Sequence, residues 1–304
     1  MEHSLEILKS CPSCGHDSFN DNLVCLDHTY SKEHFRLVEC EHCKLIFTNP
    51  RPNEQAIGKY YDNPEYVSHT DTRSGLLFTL YGLVKARALK QKRRYLEQLT
   101  SGRTVLDYGA GSGDFCAELA TNNWSVSAYE PDAGARKRIS EKNKQIEVLD
   151  NLSQLETNSR SVITLWHVLE HVHALEQTVK EFHRILAPTG TLIIAVPNHT
   201  SFDARFYSSE WAAYDVPRHL YHFNPETLGT FMKSNGYELK AIEPMWFDSY
   251  YVGLLSEKNQ GNTGILKSPF AWIRAFLIGS YSNVLAYFNK KKCSSVTYVF
   301  KKAI

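Results

Sequence analysis

From Thr104 the chain alternates short runs rich in β-branched and aromatic residues with helix-patterned stretches. TVLDYG precedes FCAELATN, WSVSAYE precedes AGARKRISEKN, IEVLD follows, SVITLWHV precedes ALEQTVKEFHRILA, and TLIIAVP closes the series. Parallel strands need long crossovers and helices supply them, so the pattern predicts an α/β fold with a doubly wound parallel sheet. YYVGLLSEK and SSVTYVFKK read as a sixth and a seventh strand. A chain of 304 residues can bury a full core, and ligands of such a sheet sit beyond the carboxyl ends of its strands.

The first strand runs into LDYGAGSGDF, where Gly109, Gly111 and Gly113 open a helix and let a ligand approach the backbone. Asp107 precedes the glycines, and Glu130 closes the next strand, where a carboxylate can take both ribose hydroxyls. The spacing is D-x-G-x-G-x-G and not G-x-G-x-x-G, which favours a mononucleotide-like ligand over a dinucleotide.

WHVLEHV follows the fourth strand. His167, Glu170 and His171 stand at i, i+3, i+4, a spacing that places two imidazoles and a carboxylate on one face of a helical turn. Three readings are open: a metal site, a general base with its orienter, or polar surface.

The first fifty residues carry CPSC at Cys11–Cys14 and CEHC at Cys40–Cys43. Paired C-x2-C knuckles close small loop-rich modules around tetrahedral zinc, and LVCLDHTY and FRLVEC between them read as short strands of a zinc ribbon. Four thiolates leave no open coordination position, so a structural zinc on Cys11, Cys14, Cys40 and Cys43 is expected. Cys25, Cys116 and Cys293 read as small apolar residues. Residues 1–48 form the ribbon, 49–90 a linker and helical segment, and 91–304 the main domain. KARALKQKRRY, from Lys85 to Tyr95, reads as an amphipathic helix with a solvated basic face. A formal net charge of +1 gives no global field toward nucleic acid, and the N-terminus lacks the pattern of a secretory signal. A cytoplasmic setting is expected.

VLDYGAGSGDF, the acidic strand end at Glu130, LWHVLEH and HRILAPTGTLIIAVPN resemble, in order and spacing, the motifs of class I S-adenosylmethionine-dependent methyltransferases. The resemblance covers roughly residues 90 to 250 and implies a Rossmann-like seven-stranded methyltransferase sheet. It also implies that Asp107, Gly109, Gly111 and Gly113 lie against the methionine half of the cofactor, with Trp166 beside it. Glu130 would hold the ribose, and Asp150 and Asn151 would lie near the adenine. Asn151 also reads as a helix cap ahead of LSQL.

The stretch after the fourth strand is closely similar to that of the ubiquinone-type O-methyltransferases, in which Glu, Glu and His at this spacing bind a divalent ion. Glu170 and His171 match, and His167 stands where that pattern has Glu. A second metal at His167, Glu170 and His171 would therefore be Mn, Fe or Zn rather than magnesium. Without metal, His167 or His171 serves as base and Glu170 as orienter.

Residues 198–224 are long and aromatic and read as a lid, with Arg218, His219, Tyr221 and His222 toward the acceptor. Asn224 and Pro225 read as N-cap and first position of the next helix, with Gly236 as its stop. The lid resembles that of a bacterial methyltransferase subfamily with an N-terminal zinc ribbon. An inserted helix within 259–292, with Trp272, Phe276, Tyr287, Phe288 and Lys290–Lys292 within 265–292, fits peripheral contact with the inner face of a membrane, or a lid or dimer helix.

The expectation is a methyltransferase (EC 2.1.1.-) acting at oxygen on a small-molecule or lipid-linked acceptor. The rivals are a zinc-ribbon RNA methyltransferase and a non-catalytic cofactor-binding interaction protein. Balanced charge and the lack of an Asn-Pro-Pro-Tyr-like motif after the fourth strand count against the first, and the intact glycine loop with Glu130 against the second.

Overall fold

The computed structural model describes residues 4–62, 76–261 and 268–303. Two strands, β1 (Leu5–Glu6) and β5 (Arg51–Pro52), pair with each other beside the ribbon strands β2 (Phe19–Leu26), β3 (His34–Cys40) and β4 (Ile46–Thr48). Each knuckle closes on a left-handed residue, Gly15 at φ 76° and Lys44 at φ 63°, whose amides donate back to the carbonyls of Cys11 and Cys40. The expected linker contributes a short 3-10 turn, Ile57–Tyr61, and residues 63–75 of the expected linker and helical segment lie outside the described ones.

Helix α1 (Leu76–Leu99) leads into the main sheet. Its strands are β6 (Thr104–Tyr108), β7 (Ser125–Tyr129), β8 (Glu147–Leu149), β9 (Arg160–Trp166), β10 (Leu186–Pro197), β12 (Tyr237–Pro244) and β13 (Ser295–Lys302), with order β12-β13-β10-β9-β6-β7-β8. All pairings from β8 to β10 are parallel, and β13 runs antiparallel to both β10 and β12. Helices α2 (Asp114–Ala120), α3 (Ala133–Lys142) and α4 (Leu175–Ile185) make the crossovers. The central strands are apolar on both sides: Val162, Ile163 and Leu165, and Leu192 to Val196, are all buried. Two-sided burial of this kind is what a sheet covered on both faces requires.

The sixth strand is YELKAIEP and not YYVGLLSEK. The latter lies in helix α7 (Asp248–Asn259), whose buried residues Ser249, Val252, Gly253, Ser256 and Glu257 recur at helical spacing. The run hid that period because two of its core-facing side chains, Ser256 and Glu257, are polar. Ser256 accepts from the Ala212 amide at 2.9 Å, and Glu257 from the Tyr207 hydroxyl at 2.9 Å and from Arg274 at 2.6 Å.

The segment after β10 folds as α5 (Phe202–Tyr207), two 3-10 turns and β11 (Tyr221–His222), followed by α6 (Pro225–Ser234). Asn224 caps α6 with Pro225 at its first turn, as the sequence indicates. Strand β11 pairs with β4, so the ribbon sheet has the order β11-β4-β3-β2 and incorporates a strand from the main domain. Helix α8 (Pro269–Phe288) falls within the expected insertion, and residues 262–267 lie outside the described ones.

Candidate active site

The glycine loop sits at the carboxyl end of β6. Gly109, Gly111 and Gly113 all have positive φ, at 76°, 54° and 73°. A Cβ on Gly109 would come within 2.5 Å of Val168, and one on Gly113 within 2.6 Å of Ile139, so packing demands both glycines. A Cβ on Gly111 would meet nothing. The Gly111 amide donates to Glu130 Oε2 at 2.8 Å, and the Asp132 amide to Oε1 at 3.1 Å, which binds the acidic strand end to the loop. Asp107 is buried beneath it and accepts from Thr164 Oγ1 at 2.7 Å and Cys116 Sγ at 3.3 Å; burial lifts its carboxyl to about 6. Both its oxygens are bonded within the fold. Asn151 caps the turn Leu152–Gln154 through a capping box, and Asp150 is exposed 3.9 Å from Arg136.

Trp166 ends β9 with its indole N–H buried and without a partner. The Lys92 ammonium lies 4.0 Å from its ring centroid, and burial lowers the lysine's pKa. Lys92 thus departs from the solvated basic face expected of Lys85 to Tyr95. Its neighbour Arg93 is also committed, to Glu118 at 2.9 Å and Glu97 at 2.8 Å.

His167, Glu170 and His171 do not share a regular helical turn. His167 adopts φ 57° just after β9, and only Leu169–His171 form a 3-10 turn. His167 Nε2 stands 3.1 Å from Asp248 Oδ2, and its Nδ1 3.6 Å from Glu170 Oε1. Burial opposes its charge, but the contact with Asp248 and then the ion pair with Glu170 prevail and push its pKa up to about 9. His171 is the opposite case. Burial and the neighbouring His219 bring it down to about 4. Its Nδ1 is 3.0 Å from the Arg218 carbonyl and 2.9 Å from the Tyr61 hydroxyl. A carbonyl only accepts, so Nδ1 carries the proton and Nε2 keeps its lone pair. His219 repeats the arrangement, with Nδ1 2.8 Å from the Ala213 carbonyl.

The three donors that converge are therefore Glu170, His171 and His219, whose ligand atoms lie within 4.8 Å of one another. This set differs from the expected trio: His167 is turned to Asp248, and His219, from residues 198–224, supplies the second imidazole. Glu170 is 1% exposed, and neither of its oxygens has a hydrogen-bond partner. A void of about 10 Å³ lies among Glu170, His219 and His222.

A cavity of about 580 Å³ opens over this group. His167, His171, Arg218, His219 and Asp248 line it from the main domain and lid, Tyr251, Val252 and Leu255 from α7, and Cys25, Leu26, His28 and Thr29 from the ribbon. Tyr221 and His222 do not reach it and line the small void instead. The Tyr221 hydroxyl accepts from Arg51 and donates to the His173 carbonyl, both at 3.0 Å. The Arg218 guanidinium, 1% exposed, bonds Asp215 at 2.6 Å and Asp27 of the ribbon at 3.0 Å. Sequence reading missed Lys92, Asp248 and the ribbon's wall of the cavity, because each meets the site only through the tertiary fold.

The four ribbon cysteines converge as expected, with Cys11 Sγ 3.5 Å from Cys43 Sγ and Cys14 Sγ 3.6 Å from Cys40 Sγ. Such a set of four thiols fits zinc.

The seven-stranded sheet, with a glycine loop tied to an acidic strand end at its carboxyl edge, defines a class I S-adenosylmethionine-dependent methyltransferase. The chain belongs to the family described as Methyltransferase domain, whose model matches residues 83–242. It is 23% identical over 164 residues to the ubiquinone biosynthesis O-methyltransferase of Xanthomonas oryzae pv. oryzae, covering 49% of this chain and 69% of that protein. It is 25% identical over 156 residues to that of Pseudomonas paraeruginosa, covering 47% and 67%. Among solved structures, a putative sarcosine dimethylglycine methyltransferase from Galdieria sulphuraria is similar, with TM-score 0.49 and 16% identity over 73% of this chain and 86% of that one. A SAM-dependent methyltransferase from Archaeoglobus fulgidus has TM-score 0.49 and 17% identity over 75% and 100%.

Proposed function

We propose that the protein methylates an oxygen of a small-molecule or lipid-linked acceptor seated in the 580 Å³ cavity, with His171 receiving the acceptor's proton. The observation that carries this is the pair of opposed histidines on the cavity wall. His167 is held cationic between two carboxylates, and His171 is held neutral with its basic nitrogen unprotonated. Groups driven apart in this way mark a division of acid–base labour. S-adenosylmethionine supplies a methyl group made electrophilic by its sulfonium. Gly111, Glu130 and Trp166 flank its cleft. Lys92 offers a cation to the amino-acid carboxylate. Asp248 and Glu170 orient His167, and the lid excludes water. The choice of oxygen follows the O-methyltransferase names of the relatives, and it remains part of the proposal.

A second reading is favoured by the buried Glu170 carboxylate, whose oxygens accept no hydrogen bond among the described residues. Glu170 with Nε2 of His171 and His219 would hold a transition-metal ion. Each imidazole is oriented by a carbonyl on Nδ1, the usual support of a metal-binding histidine. The test is labelled-methyl transfer by wild type and His171→Ala, with and without a chelator. Loss of His171 should lower turnover by about 10²–10⁴ at unchanged cofactor affinity. Wild-type activity that survives chelation supports the base reading, and activity lost to chelation and restored by Mn or Zn supports the metal.

A further inference from the structure

Helix α8 carries the largest exposed apolar surface among the described residues. Phe270, Ile273, Leu277, Tyr281, Val284 and Phe288 recur at spacings of three and four, and each is between 51% and 81% exposed. Phe276 and Tyr287 widen the stripe. The opposite face is lined by small side chains, Ala271, Ala275, Gly279, Ser282 and Ala286, all buried. A Cβ on Gly279 would stand 2.9 Å from the Tyr250 ring, so α7 packs directly against that side. The only charge from Pro269 to Phe288 is Arg274, and it is turned inward onto Glu257 at 2.6 and 2.7 Å. The outward face is thus apolar over a helix roughly 30 Å long. Soluble monomers rarely leave such a stripe to water.

We infer that this face lies flat on an anionic lipid bilayer. It ends in Lys290, Lys291 and Lys292, all exposed, and no Asp or Glu occurs from Ser268 to Ile304. Lys290 is already paired with Glu243 at 2.8 Å, and a second copy packed face to face across α8 would meet the same acid-free segment and gain no charge complement for Lys291 and Lys292. An anionic headgroup layer supplies one. Aromatic side chains bury area at headgroup depth, and lysines beside them add attraction. No helix of the described residues is long and apolar enough to cross a membrane, so the contact is peripheral. Helix α7 separates this face from the cavity and lines the cavity with Tyr251, Val252 and Leu255, so the cavity wall is one helix removed from the bilayer.

The test is flotation of the full-length protein with phosphatidylcholine vesicles containing roughly one third phosphatidylglycerol, at low and high salt, with pure phosphatidylcholine as reference. The protein should float with the anionic vesicles at low salt. Both Phe276→Ser/Leu277→Ser and Lys291→Glu/Lys292→Glu should weaken partitioning by about tenfold or more, while cofactor affinity stays unchanged. Equal flotation of both variants and wild type would overturn the inference. So would a wild-type protein that stays off the vesicles and sediments as a dimer, with Phe276→Ser/Leu277→Ser converting it to monomer.

Discussion

At the residue scale, the fold holds His167 in its charged form. Its ordinary pKa is ~6.5, and Asp248 with Glu170 lifts it to about 9 against the penalty of burial. A folded pKa above the unfolded one means stabilisation that is complete below pH ~6.5 and lost as pH rises through about 9. Wild type should therefore melt at a falling temperature between pH 6.5 and 9, and Asp248→Asn should flatten that slope; a slope unchanged in the variant would dissolve the pair. His167 was legible in the sequence because it follows a strand end in a recognisable stretch. Asp248 was not, for its pairing depends on how α7 returns to the edge of β9, which no local spacing encodes. Lys92 was obscured differently: among five other basic residues between Lys85 and Arg94, nothing local distinguishes the one that faces an indole.

At the scale of elements, the ribbon and the segment after β10 are joined. The Thr48 amide donates to the Leu220 carbonyl at 3.0 Å, the Thr48 hydroxyl to that of His219 at 2.9 Å, and the Leu220 amide to that of Glu170 at 2.8 Å. The ribbon therefore holds the segment that carries His219, and it forms part of the cavity wall. Because metal binding and folding of such a module are one equilibrium, Cys40→Ser should release zinc, unravel the ribbon and abolish methyl transfer. Cofactor affinity, set by the main sheet, should change little; calorimetry on the variant checks this, and a variant that is zinc-free yet fully active would separate ribbon from site. The C-x2-C knuckles were readable because metal chemistry fixes their spacing. The sixth strand was misread because the buried polar residues of α7 look, in sequence, like the outward face of a strand.

At the scale of the whole molecule, the glycine loop, the imidazole pair, the segment after β10 and the ribbon meet at the carboxyl end of the sheet, and α8 shows its apolar face behind the cavity wall. The parallel core was legible from alternation alone, and the cofactor class from four motifs in order. The acceptor side was not, since it is assembled from the ribbon, the lid and α7, which lie far apart in the chain. The proposed reaction is methyl transfer from S-adenosylmethionine to a small or lipid-linked acceptor in that composite cavity. The direct measurement is transfer of labelled methyl from S-adenosylmethionine by the purified protein into a cell extract that is then treated with RNase and separated by lipid extraction. Label should appear in the small-molecule or lipid fraction and resist RNase. Label released by RNase, or no label in any fraction from a protein that binds the cofactor, would contradict the account.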